Sequence, residues 1–154
     1  MRPVDMYLDQ YSADHRNATN QWIHLLCVPA IVWSVTAALW TVPVPAGLFR
    51  PGAVAAFAMV AALAFYWRMS RKLWIGIALF FIGFAWLNWW IAEQFGMRNL
   101  LWTSIGVFVV AWIGQFIGHI YEGHRPSFFT DLTFLLIGPM WTLRKLYTRL
   151  GLGY

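Results

Sequence analysis

Residues 22–42 read WIHLLCVPAIVWSVTAALWTV, about twenty residues without one Asp, Glu, Lys or Arg. As a helix, a run of that length matches the ~30 Å hydrocarbon core of a bilayer. Lipid offers backbone groups no other partner, so the run is expected to be helical. It is too long for a signal-peptide core and no small-residue cleavage site follows it, so no signal peptide is expected. Pro43-Val44-Pro45 and Gly47 end it.

Three similar runs follow, at 52–67, 73–92 and 100–121. The first of these is short for a span, but its end, Phe65-Tyr66-Trp67, suits the membrane interface. A fifth apolar stretch, 128–143, is expected to be broken by Asp131 and by Gly138-Pro139. It reads as an interfacial or re-entrant helix. The expected fold class is all-α integral membrane: four transmembrane helices plus a C-terminal interfacial or re-entrant helix, with 1–154 as a single transmembrane helical domain.

Composition agrees. Of the 154 residues, 60% are hydrophobic and 11% charged, and 11 are Trp. Soluble domains carry about 25% charged residues, and a chain this small cannot bury so much apolar surface by itself. A soluble monomer and an intrinsically disordered chain are both excluded. The net charge of +5 does not point to nucleic acid, because the basic residues sit between apolar runs and are better explained by anionic lipid and membrane orientation. The lone Cys27 excludes an intramolecular disulfide and a cysteine-based zinc cage.

Orientation follows from the Lys/Arg distribution. Four spans put both termini on the side of the 68–72 loop, with Arg2, Arg16, Arg68, Arg71, Lys72, Arg125, Arg144, Lys145 and Arg149. The other side holds Arg50 and Arg98. Nine against two predicts cytoplasmic termini for a multi-pass integral membrane protein, in the inner membrane if the source is bacterial. A fifth crossing at 128–143 would weaken the bias to six against five.

This topology gathers the four histidines. His15 and His24 flank the start of the first span, and His119 and His124 flank the end of the fourth. Asn17, Asn20 and His24 share one helical stripe; Gln115, His119 and Glu122 share another. Polar stripes in apolar helices avoid lipid by facing each other, and Gly114 and Gly118 would permit a close approach. His15 lies nine residues before His24, out of phase on a continuous helix. It is expected to reach the site from a separate N-terminal segment, with Asn17 as an N-cap between them. Three imidazoles and a carboxylate in one place resemble a first-row metal site suited to Fe(II), Zn(II) or Mn(II), with Asn20 and Gln115 as supporting partners. The bland readings are interfacial histidines, with His124 the strongest case, and a Glu122–Arg125 pair.

The segment Tyr11-x-x-x-His15-Arg16-Asn17-x-x-Asn20-Gln21-x-x-His24-x-x-x-Val28-Pro29, with Gln115-Phe116-Ile117-Gly118-His119 and Pro126, resembles a family of small membrane proteins. That family includes the fungal endoplasmic-reticulum 2-hydroxy fatty acid dioxygenase of phytosphingosine degradation. The resemblance implies an Fe(2+)-dependent dioxygenase that uses O2 to cleave C1–C2 of a 2-hydroxy fatty acid, leaving a fatty acid one carbon shorter. The matching positions imply His15, His24, His119 and Glu122 as metal ligands, while His124 stands where such proteins vary. Arg125 or Arg16 would neutralise the substrate carboxylate. Two other readings are a haem-type redox membrane protein and a non-catalytic membrane scaffold or lipid-binding protein. Nothing in the sequence fixes the oligomeric state.

Overall fold

The computed structural model describes residues 3–123 and 133–153, and every regular element among them is an α-helix. In chain order these are α1 (Pro3–Ala13), α2 (Ala18–Trp40), α3 (Ala53–Met69), α4 (Arg71–Phe95), α5 (Met97–Glu122) and α6 (Phe134–Arg149).

Local chemistry sets the boundaries. Asn17 caps α2, its side chain accepting from the Thr19 N–H at 2.9 Å and the Asn20 N–H at 3.3 Å. This is the expected break between His15 and His24, although α2 begins four residues before the apolar run. Ser70, in extended backbone, separates α3 from α4, and its hydroxyl accepts from the Leu73 N–H at 3.4 Å. Gly96 alone joins α4 to α5; its φ of +85° is left-handed backbone that glycine adopts freely.

Helices α2, α4 and α5, of 23, 25 and 26 residues, are long and apolar enough to cross a membrane. At 1.5 Å per residue each exceeds ~30 Å. In their most apolar windows only 33%, 22% and 22% of residues are buried. Leu26, Val110 and Ile120 point outward at 72%, 69% and 77% exposure. Such faces have no place in water and fit contact with lipid. Helix α3 is apolar but shorter, at 17 residues, or about 25 Å.

Helices α2 and α5 pack antiparallel. A side chain at Gly114 would meet Cys27 Sγ at 2.7 Å, and one at Gly118 would strike the Asn20 amide. The paired positions run in opposite directions along the two helices. The small-residue pair read from the sequence therefore lies at the contact.

Two elements differ from expectation. The N-terminal stretch forms α1, whose Val4, Leu8 and Tyr11 are buried; their spacing of four and three is an apolar helical stripe. Helix α6 is not broken at Gly138-Pro139 but continues to Arg149. Pro139 sits in its second turn, where one lost backbone bond is tolerable. Gly138 lets the helix approach Tyr11 and Val28. The 128–132 part of the expected fifth stretch lies outside the described residues. Helix α6 is docked on α1: Trp141 Nε1 donates to Ser12 Oγ at 2.9 Å, and Arg144 pairs with Asp9 at 2.9 Å. Buried residues of α1, α3, α4 and α6 make the larger core, including Leu8, Met59, Leu73, Ile77 and Trp141.

Antiparallel α2 and α5, with α4 turned back into α5 at Gly96, require the chain to return between α2 and α4. Helix α3 is the element that connects them. Single cysteines replacing Arg50 and Arg71 in a Cys27→Ser background should therefore react with a membrane-impermeant maleimide from opposite sides of the membrane. Labelling of both from one side would break this topology.

Candidate metal centre

His24 occupies the second turn of α2 and His119 the last turn of α5, so the antiparallel pair brings both to one end of the bundle. His15 arrives from the linker between α1 and α2. All three are buried, and one ring nitrogen from each lies within 4.8 Å of the others. Ring centroids are 4.3 Å apart for His15–His24 and 5.0 Å for each pair with His119.

The tautomers of two rings follow from their partners. His15 Nδ1–H donates to the Tyr11 carbonyl at 2.7 Å, and His24 Nδ1–H donates to the Asn20 carbonyl at 3.0 Å. A carbonyl can only accept, so Nδ1 carries the proton on both neutral rings. Each Nε2 is then a bare lone pair, and the two Nε2 atoms face each other at 3.1 Å. Two lone pairs at that separation repel unless a cation lies between or beside them. A backbone carbonyl fixing Nδ1–H so that Nε2 can coordinate is also the usual support for a metal-binding imidazole.

The setting is rigid. Tyr11 stacks on His15 with centroids 4.1 Å apart and planes 5° from parallel. The fully buried Trp141 of α6 lies 5.4 Å from His15. Gln21 Nε2 donates to the His15 carbonyl at 2.8 Å, and Lys145 Nζ donates to Gln21 Oε1 at 3.1 Å. Burial, and secondarily the neighbouring His119, pulls the pKa of His15 from 6.5 down to about 4, against the opposing effects of the Tyr11 carbonyl and of the Glu122 and Asp14 charges.

The other expected site residues fall as follows. Glu122 does not join the group of three. Its carboxylate accepts from the Arg16 N–H at 2.7 Å, the Asn17 N–H at 3.0 Å and Asn20 Nδ2 at 2.9 Å. It straps the end of α5 to the His15 linker and the start of α2, because the unpaired N–H groups at a helix start attract an anion. Asn20 supports His24 through its backbone carbonyl, while its side chain serves Glu122. Gln115 lines the histidine cavity, and its Nε2 is buried with no hydrogen-bond partner among the described residues. Arg16 is exposed, and its Nε donates to the Ala13 carbonyl at 3.1 Å. His124 and Arg125 lie outside the described residues. Sequence reasoning gave no role to Trp141, Gln21 or Tyr11. The signal for Tyr11 and Gln21 was their place in the motif shared with the family; Trp141 carried none.

The cavity at the cluster is about 60 Å3. Its polar end is Gln115 and the three histidines; its remaining wall includes Val28, Ile31, Val32 and Phe134.

An all-helical chain with three membrane-length apolar helices and a buried tri-histidine cluster compatible with metal binding is a defined class of protein. Residues 1–150 match the family described as 2-hydroxy-palmitic acid dioxygenase Mpo1-like, and the chain belongs to that Mpo1-like family. It is similar to the 2-hydroxy-palmitic acid dioxygenase of Saccharomyces cerevisiae, at 24% identity over 143 residues covering 92% of this chain and 78% of the relative. No solved structure matches it.

Two measurements probe this geometry. A histidine that titrates lower in the fold than in the unfolded chain destabilises the fold when protons are plentiful. The metal-free protein in detergent should thus keep its melting temperature above pH 6.5 and lose stability steadily as pH falls toward 4; a flat profile there would contradict a buried neutral His15. For the strap, Glu122→Leu strands the buried Asn20 amide and the half-buried Asn17 N–H, while the exposed Arg16 N–H can turn to water, and should cost about 1 kcal/mol or somewhat more, whereas Glu122→Gln retains an acceptor oxygen and should cost less. Equal melting of wild type and Glu122→Leu would remove the strap.

Proposed function

We propose that the chain is an Fe(2+)-dependent dioxygenase that cleaves C1–C2 of a 2-hydroxy fatty acid with O2, releasing a fatty acid one carbon shorter, and that His15, His24 and His119 hold the iron. The observation carrying this reading is the pair of facing Nε2 lone pairs, 3.1 Å apart beside a third buried imidazole, in a member of a family described by that activity. The donor set fits: imidazoles suit ferrous iron, and three ligands leave positions open. Bound there, the iron would supply the activation of dioxygen that breaking a carbon–carbon bond requires.

The chain's own residues do the rest. The Tyr11 and Asn20 carbonyls hold two imidazoles in the coordinating tautomer. Gln115 Nε2 is a donor for the carboxylate or hydroxyl of the substrate head group. Val28, Ile31, Val32 and Phe134 keep water from the head group and leave only hydrocarbon on that side. Glu122 serves as the strap that fixes the His15 linker, so in this reading it positions a ligand. Helix α3 is the fourth membrane crossing, α6 lies at the interface, and the termini are cytoplasmic, with position 71 the cytoplasmic site of the labelling experiment above.

The haem alternative finds no support in the geometry. Axial imidazoles stand on opposite faces of a macrocycle, and rings with centroids 4.3–5.0 Å apart leave no gap for one.

Elemental analysis of protein purified without oxygen should return stoichiometric iron and no Soret band. His15→Ala, His24→Ala and His119→Ala should each lower retained iron about tenfold or more. The wild type should consume O2 with 2-hydroxyhexadecanoate and yield the fatty acid with one carbon fewer. Because His15 stays neutral well below pH 6.5, iron should be retained at pH 5.5. Iron that survives all three substitutions would end the proposal.

A further inference from the structure

A second cavity, of about 150 Å3, lies between α2, α4 and α6. Apart from the Thr142 hydroxyl its lining is hydrocarbon, and it shares Val28 and Val32 with the wall of the histidine cavity. Val28 and Val32 line both spaces, so the two lie against the same face of α2. On α2, Leu25, Val28, Pro29 and Val32 follow helical spacing along one face. Val32 lies eight residues beyond His24, about 12 Å deeper along the axis. The floor is buried at Ile77 and Phe81, while Phe80 at the rim is 43% exposed on the apolar outer surface.

We propose that this cavity is the acyl-chain slot of the histidine site. It receives the inner part of the hydrocarbon tail of the substrate whose head group sits at the histidines, since about 150 Å3 takes a guest of benzene size, while the outer part passes the rim at Phe80 into the bilayer; the inference rests on the function proposed above. Continuity through Val28 and Val32 argues for this occupant. So does the shape of the first cavity, which at about 60 Å3 holds a head group but not a long chain. The tail would cross the valine ridge and run down the α2 face against α4 and α6. The exposed rim at Phe80 gives a lipid-dissolved substrate lateral access from the bilayer. The volume of the slot, set by Ile77, Phe81 and Leu143, would then determine which chain lengths are preferred.

The test uses the full-length, iron-loaded wild type in nanodiscs with 2-hydroxyhexadecanoate carrying a diazirine in the half of its chain nearer the carboxylate. After irradiation, residue-level mapping should find adducts on Ile77, Phe81 or Phe84 of α4 or on Thr142, Leu143 or Leu146 of α6, and excess unlabelled 2-hydroxyhexadecanoate should suppress them. Adducts confined to outward residues such as Leu79 and Val110, and insensitive to competitor, would mean that an ordinary bilayer lipid fills the groove and would overturn the slot. In parallel, Ile77→Trp should lower the ratio of kcat/KM for 2-hydroxyhexadecanoate to that for 2-hydroxyoctanoate at least tenfold, with iron content unchanged; an unchanged ratio counts against the slot. Competed adducts in a protein that consumes no O2 would support the slot and defeat the dioxygenase reading. Turnover with adducts elsewhere would do the reverse.

Discussion

Helices α2 and α5 meet through glycine, and the site depends on how close that lets them come. With Gly114 against Cys27 and Gly118 against Asn20, there is no space for a side chain between them. In lipid, helices gain nothing from hiding apolar surface from one another, so tight backbone approach and polar contacts across the seam must hold them together. At this seam the polar contacts are the Asn20–Glu122 hydrogen bond and the imidazoles beyond it. The same approach thus both binds the two helices and sets His24 beside His119.

A second constraint acts on charge. Two rings whose Nδ1 protons go to carbonyls must present bare Nε2 atoms, and at 3.1 Å these oppose each other. A site built to be comfortable without a cation would rotate one ring or supply a donor. Here Tyr11 stacking, the Asn20 carbonyl and the Glu122 strap resist rotation. Burial meanwhile holds His15 neutral, so that the electron pairs stay available over an acidic range. The geometry is compatible with a metal ion held by the three rings.

Around this polar end the bundle is mostly hydrocarbon, interrupted inside by groups such as Asn88, which donates to Thr36 Oγ1 at 3.4 Å. Helix α6 closes the site from one side, with Trp141 beside His15 and Gly138 beside Tyr11, and Asp9–Arg144 ties it to α1. Between α6 and the α2–α4 pair remains the apolar space next to the histidine cavity. A polar space and an apolar space therefore lie side by side, which is the arrangement an amphipathic ligand would need.

The long apolar helices, the Asn17 cap, the glycine pair and the gathering of His15, His24 and His119 were all legible in the chain. Bilayer thickness and 3.6-residue periodicity leave few other ways to arrange such runs. Helix α1 was missed because Asp5, Asp9 and Asp14 obscure a stripe of only three apolar residues. Glu122 is implied as a ligand by the family resemblance, and its spacing from His119 shows only that the two share a helical face; which atoms its carboxylate reaches depends on where the α1–α2 linker passes. The support of His24 by the Asn20 carbonyl was equally hidden, since every residue has a carbonyl and only the fold decides which one faces a ring. By itself, the sequence determined that helices would cross lipid and that three imidazoles would share one end, because those follow from hydrophobicity and periodicity. Tertiary structure alone decided ring tautomers, the strap and the cavity beside the valines, because these depend on distances between residues far apart in the chain.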